Sequence, residues 1–342
     1  MSRQCKTLLL IAFAMSQSAC YYVQAARGQY DVLRRSEPID EVLAAKSTPG
    51  ELARRLELVQ EARQFAVDEL LLPDNDSYRS YADLERDYVV WNVFAAPEFS
   101  LEPKTWCFPV AGCVAYRGYF DEQNARRQAA QLQDDGYDVA VGGVPAYSTL
   151  GRFNDPVLNT MMRWEDTDLV ATIFHELAHQ VLYVKDDTAF NESFATAVAD
   201  IGLERWLLSK GESGQLAAYR ERRQLREQLV GLIRAAKSDL ETLYASALEE
   251  AEMRRQREQR LSRLAAELKA RLAESGRDSP GWLGDELNNA RLVSIGLYQL
   301  DLARFRALYE DCERDLACFY DRAVEWRQVP DPGIDAGARR RS

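Results

Sequence analysis

The two histidines of this 342-residue chain both fall in one pentapeptide, His175-Glu176-Leu177-Ala178-His179, inside an amphipathic run from Leu169 to Val184. On an α-helix, residues four apart lie one above the other, so this spacing stacks two imidazoles on one face with the intervening glutamate beside them. Zinc takes nitrogen ligands at about 2.0–2.1 Å, and two imidazoles one turn apart reach a single ion without backbone strain. A metal held in this way lowers the pKa of bound water toward about 7, and a neighbouring carboxylate accepts the proton as the water attacks a polarised carbonyl. His175 and His179 are therefore candidate ligands of one Zn2+ ion, and Glu176 is the candidate general base.

A third protein ligand cannot be histidine, and the position six residues after His179, where metzincins carry their third histidine, is Lys185. The downstream candidates are Asp186, Asp187, Glu192, Asp200 and Glu204, and of these only Glu192 stands in a recognisable context, Asn191-Glu192-Ser193-Phe194-Ala195. Asp186-Asp187 predicts a turn and an N-cap for a second helix from Thr188. HELAH followed by NESFA resembles the gluzincins, whose second helix carries the glutamate ligand, and the resemblance implies that Glu192 is that ligand. Thermolysin-like members place an orienting aspartate four residues later. Here that position is Thr196, so the orienting group is expected at Asp200 or outside the motif.

The N-terminus carries Arg3 and Lys6, then the apolar stretch Leu8 to Met15, then Ser16-Gln17-Ser18-Ala19-Cys20. Such a stretch is too short to span a bilayer and has the layout of a secretory leader, so residues 1–19 are expected to be removed. Cys20 after Ser18-Ala19 resembles a bacterial lipobox, which implies lipidation at Cys20. Tyr21 in the next position implies, by the same resemblance, the periplasmic face of a Gram-negative outer membrane; ordinary cleavage would leave a soluble periplasmic protein. The net charge of −11, made more negative by the loss of Arg3 and Lys6, argues against nucleic acid as a partner.

Cys107, Cys113, Cys312 and Cys318 remain, and in an oxidising compartment they are disulfide candidates. Cys107 and Cys113 flank a loop and form the natural local closure. Cys312 and Cys318 lie in a helical-looking stretch, where pairing requires the helix to break, and cross-pairing stays open.

Residues 20–342 are expected to form a single domain. Residues 21–72 have a helical pattern; Tyr88 to Tyr119 is β-rich with Pro and Gly turns and predicts a small sheet; Asp121 to Asp135 predicts a polar helix. Ala146 to Leu150 is the candidate strand for holding substrate backbone. Leucines at spacings of three and four predict a long helical arm over residues 210–280, a scaffold or a docking site for a protein partner. A helix from Leu287 is expected to reach Tyr298, and Tyr298 or Tyr147 is the candidate oxyanion donor.

Beyond the two metal motifs, Tyr21-Tyr22-Val23-Gln24-Ala25, Trp106-Cys107-Phe108-Pro109, Arg117-Gly118-Tyr119-Phe120 and Tyr147-Ser148-Thr149-Leu150-Gly151 resemble the bacterial zinc aminopeptidase family of gluzincin-like HExxH/NExFA lipoproteins. The resemblance implies a mainly helical α+β zinc peptidase with a small β-sheet, acting as an aminopeptidase on short peptides. A zinc endopeptidase, or a non-catalytic lipoprotein that uses the same fold for binding or as a scaffold, are the competing classes. No carboxylate is marked by a motif for binding a substrate α-ammonium group; Asp155 and Glu165 are possible acceptors.

Overall fold

A computed structural model describes residues 21–108, 112–146, 148–149, 151–283, 287–296 and 302–328, so Cys20, Tyr147, Leu150 and Tyr298 lie outside the described residues. In chain order, helix α1 (residues 21–34) is followed by β1 (Ser36–Pro38), α2 (Ile39–Ala44), α3 (Gly50–Asp68), β2 (Ser80–Ala82) and β3 (Val90–Pro97). Then come β4 (Trp106–Phe108), β5 (Gly112–Val114), β6 (Arg117–Tyr119), α4 (Glu122–Asp134), β7 (Tyr137–Val144) and β8 (Val157–Leu158). The C-terminal half is helical: α5 (Asp166–Ala178), α6 (Thr188–Ser209), α7 (Ser213–Tyr244), α8 (Glu250–Glu274), α9 (Asn289–Gly296), α10 (Leu302–Asp311) and α11 (Leu316–Gln328). The architecture is α+β, mainly helical, with small sheets.

Strand β3 reads Val-Trp-Asn-Val-Phe-Ala-Ala-Pro, a β-branched and aromatic run suited to a pleat buried on both faces. It is the centre of an antiparallel sheet ordered β6-β3-β7. One face of this sheet, with Val93, Ala95, Tyr119 and Val139, packs on Ala125, Ala129 and Leu132 of α4. The opposite face, with Phe94, Ala140 and Tyr116, meets Ala290 of α9. Neither sheet edge is left bare. Gln24 of α1 donates to the Gly118 carbonyl and accepts from the Phe120 N–H, while Asn288 and Arg291 donate to the carbonyls of Val139 and Val141. Covering these edges removes templates for unwanted strand pairing.

Strand β7 ends at Val144 because Pro145 has no N–H for the ladder. The expected substrate strand over Ala146–Leu150 is therefore not a strand among its described residues. Ala146, Ser148 and Thr149 are irregular, and Asp155 draws that segment inward by accepting from the Thr149 N–H at 2.8 Å.

The principal core surrounds α5 and α6. Helix α6 is apolar on nearly all sides, the pattern of an enclosed helix, and it packs against α3, α5, α7 and α10. Phe194 is fully buried against Phe305, Phe319 and Tyr320.

Residues 210–280 form a folded-back helical hairpin rather than one extended arm. Ser246 ends α7 by donating both its backbone N–H and its hydroxyl to the Leu243 carbonyl. The leucines of the two helices then face each other, and Ile233, Leu240, Leu243, Leu261, Leu264 and Leu268 share one apolar cluster with Leu283, Leu287 and Leu292. Arg257 binds Asp138 of β7 and Arg254 binds Glu98, so the hairpin lies against the sheet. Among the described residues no helix is long and apolar enough to cross a membrane.

The helical stretch around Cys312 and Cys318 breaks between α10 and α11, with Glu313 and Arg314 in the left-handed region, and the two cysteines form a disulfide there. Cys107 and Cys113 face each other across the β4–β5 ladder and form the second disulfide.

Candidate active site

Helices α5 and α6 pack antiparallel, and their facing sides make the floor of a cavity of about 700 Å³. The last turn of α5 presents His175 and Glu176, with His179 as its C-cap residue still in helical conformation. The first turns of α6 present Glu192. Ile173, Phe174 and Leu177 are fully buried on the reverse side of α5, which fixes the rotation of the helix and so aims the two imidazoles at the cavity.

The Nε2 atom of His175 lies 3.3 Å from Glu192 Oε2, and that of His179 lies 3.8 Å from Glu192 Oε1. One donor atom from each of these residues falls within 4.8 Å of the others. Ligands about 2.0–2.2 Å from a tetrahedral ion stand roughly 3.3 Å apart, and the two histidine–glutamate separations lie near that spacing. Two imidazoles and a carboxylate are also a donor set of catalytic zinc sites, which leave a fourth position open. The structure thus brings His175, Glu176, His179 and Glu192 together.

Their environment is desolvated. Burial pushes the Glu176 carboxyl up to about 7, helped by the nearby charges of Glu192 and Asp155 and opposed by His175. Burial pushes His179 down to about 4. For Glu192 burial acts upward, but the hydrogen bond from His175 and the charges of both histidines outweigh it and hold the carboxyl below its ordinary value.

The 13-residue step from His179 to Glu192 is closed by side chains of the link itself. Asn191 accepts the Val184 N–H and donates to the Val184 carbonyl, both at 2.7 Å. Asp187 caps α6 by accepting from the Phe190 N–H. Asp186 has φ +67° and accepts the Cys113 N–H at 2.6 Å, so the disulfide hairpin β4–β5 is fastened to the turn between the two site helices. Gly112 has φ +76°, and a Cβ there would stand 2.2 Å from Asp186 Oδ1; only glycine serves both demands.

Asp200, a candidate orienting group, lines the cavity but is engaged elsewhere: it accepts from the Tyr219 hydroxyl and from Arg306. His179 Nδ1 is buried without a hydrogen-bond partner among the described residues. Of the possible ammonium acceptors, Asp155 is 3% exposed and holds the Ser148-Thr149 segment, and Glu165 is exposed and outside the cavity lining. Asp168 and Asp200 are the lining carboxylates besides Glu176 and Glu192. Tyr298 and Tyr147 lie outside the described residues, whereas Tyr116 and Tyr183 line the cavity. Burial raises the pKa of both phenols, and the charge of Glu192 adds to it.

Sequence reasoning missed Asn92, which reaches the cavity from β3, Tyr116, which reaches it from the step between β5 and β6, and Tyr219, which reaches it from α7. No local motif marks them, because they meet the site only through tertiary packing. A family model described as "Putative aminopeptidase" matches residues 20–335. No curated protein and no solved structure matches the chain.

Proposed function

The chain belongs to this aminopeptidase family, and from that premise we propose that it is a zinc-dependent peptidase that removes residues from the free N-termini of short peptides. The observation that carries the zinc reading is the convergence of one imidazole nitrogen each of His175 and His179 and a Glu192 carboxylate oxygen within 4.8 Å, beside a desolvated Glu176. Zinc held by His175, His179 and Glu192 would polarise the scissile carbonyl and acidify a water molecule.

Glu176 takes the proton of the attacking water and returns it to the leaving amine; its raised pKa suits both halves of that exchange near neutral pH. Tyr116, a protonated phenol near neutral pH and part of the cavity lining, is the donor for the oxygen that gains charge. Val90, Phe120, Val144 and Trp164 supply apolar walls that exclude water from the reacting groups.

In this reading residues 20–342 form one catalytic domain, with the α7–α8 hairpin as a scaffold. It is held by lipid at Cys20 on the periplasmic face of an outer membrane. The two disulfides support an oxidising compartment.

The test is hydrolysis of a free peptide and its N-acetylated counterpart, each with and without a chelator. Cleavage of the free peptide alone, abolished by chelation and restored by zinc, is the expected result. Equal cleavage of both would show an endopeptidase, and cleavage indifferent to chelation would remove the metal.

A further inference from the structure

We propose that Asn92 and the glycines on either side of it form the subsite that holds the backbone of a peptide substrate; this rests on the peptidase reading above. Asn92 lies on the central strand β3, in register with Gly118 of β6 on one side and Gly142 of β7 on the other. Directly paired residues of antiparallel strands point to the same face. The carboxamide therefore rises between two positions that carry no side chain, and the sheet has a trough across all three strands at this point. Val90 and its partner Val144 bound the trough on one side, and Phe94 with Ala140 on the other.

This trough opens on the catalytic cavity, whose lining includes Val90, Asn92, Gly118 and Val144 together with His175, Glu176 and Glu192. Asn92 is 6% exposed, and its side chain has no hydrogen-bond partner among the described residues. Asparagine is disfavoured in strands, and the polar atoms of Asn92 are not sealed in the core but keep surface in the cavity that the residue lines. An apolar residue of similar size would serve the sheet better, so the carboxamide at this wall points to a ligand.

A carboxamide offers an acceptor and two donors, the complement of a peptide unit. The same molecule shows that match, since Asn191 holds both the N–H and the carbonyl of Val184 in this way. Asn92 is neutral, which suits an uncharged backbone amide rather than the ammonium or carboxylate at a peptide's end. The glycines supply the room. A Cβ at Gly118 would stand 3.0 Å from Val90 Cγ1 and 3.2 Å from Asn92 Oδ1, whereas at Gly142 the nearest atom is Arg291 Nη1 at 3.9 Å. Gly142→Ala therefore adds a methyl group to the trough, on the strand next to Asn92 and more than 4 Å from it, with little disturbance to the fold.

The experiment uses the full chain, a peptide that it hydrolyses, and analogues of that peptide in which one amide at a time is replaced by an ester. Asn92→Leu and Gly142→Ala are each expected to raise KM about tenfold while kcat changes less than about threefold, with no loss of thermal stability. One ester position is expected to weaken the parent about tenfold and the Asn92→Leu protein not at all. Calorimetric binding of the same peptide is measured in parallel in a Glu176→Gln background. Absence of hydrolysis by the parent refutes the function proposed above. Equal peptide affinity of parent and both variants, or no binding to the parent, refutes the subsite. Should Asn92→Leu fail to fold, parental affinity in Gly142→Ala alone overturns the inference.

Discussion

Replacing Asn191 by alanine is expected to lower the stability of this protein by about 2 kcal/mol through one turn of backbone. Asn191 is 2% exposed, and its carboxamide makes two 2.7 Å hydrogen bonds with Val184. The Val184 N–H has no other acceptor among the hydrogen bonds described, so truncation orphans it, at about 1–2 kcal/mol in a half-buried position. The Val184 carbonyl keeps a longer bond from the Asp187 N–H at 3.3 Å, so its loss is nearer 0.5–1 kcal/mol. In a domain of this size 1 kcal/mol moves the unfolding midpoint by about 1–2 °C, which gives a fall of about 3 °C.

The assay is a thermal melt in chelator, so that metal binding does not enter. Asn191→Asp separates the two bonds, because it keeps the acceptor but sets a carboxylate oxygen against the Val184 carbonyl. It should destabilise at least as much as alanine. Midpoints within 1 °C of the parent for both variants would refute the claim that this clasp holds the link. Because the clasp fixes the link between His179 and Glu192 against the first turn of α6, the alanine variant should also bind zinc about tenfold more weakly, as outer contacts of metal ligands do.

Glu192→Ala is expected to lose zinc, read by chelator competition, by a factor of roughly 100–1000, whereas Glu176→Gln keeps zinc and loses hydrolysis; tight stoichiometric zinc in Glu192→Ala would overturn the ligand assignment. Asp186→Ala, which removes the acceptor of the Cys113 N–H, is expected to expose the β4–β5 hairpin to limited proteolysis, and an unchanged digestion pattern would count against the clamp. Cys20→Ser is expected to abolish acylation and release the protein from the membrane fraction. A variant as acylated and as membrane-bound as the parent would refute the anchor.

The local rules written in short segments of the sequence were enough for several features. Four-residue spacing set His175 over His179; Asp187 before Thr188 started α6; the β-rich run around Val93 gave a strand; Asp121 capped α4. Each depends on chemistry within about one turn of backbone, and such chemistry is legible in one dimension. The hairpin α7–α8 was legible as helix but not as two helices, because a single serine-capped turn, with no glycine or proline, reverses the chain and lets the leucines pack on one another. The expected substrate strand failed because the Asp155 carboxylate competes for the Thr149 N–H, a contact that the pattern of side chains does not encode.

What the sequence determined by itself is the chemical inventory: two histidines, a glutamate between them and a second helix with its own glutamate. Tertiary structure decided what stands opposite that inventory. Asn92, Tyr116 and Tyr219 come from segments remote in the chain: α4 covers one face of the sheet, the other face is shared by α9 and the site, and α7 brings Tyr219 to the same cavity. Burial, which raises the pKa of Glu176, is a property of the assembled core and of no segment within it.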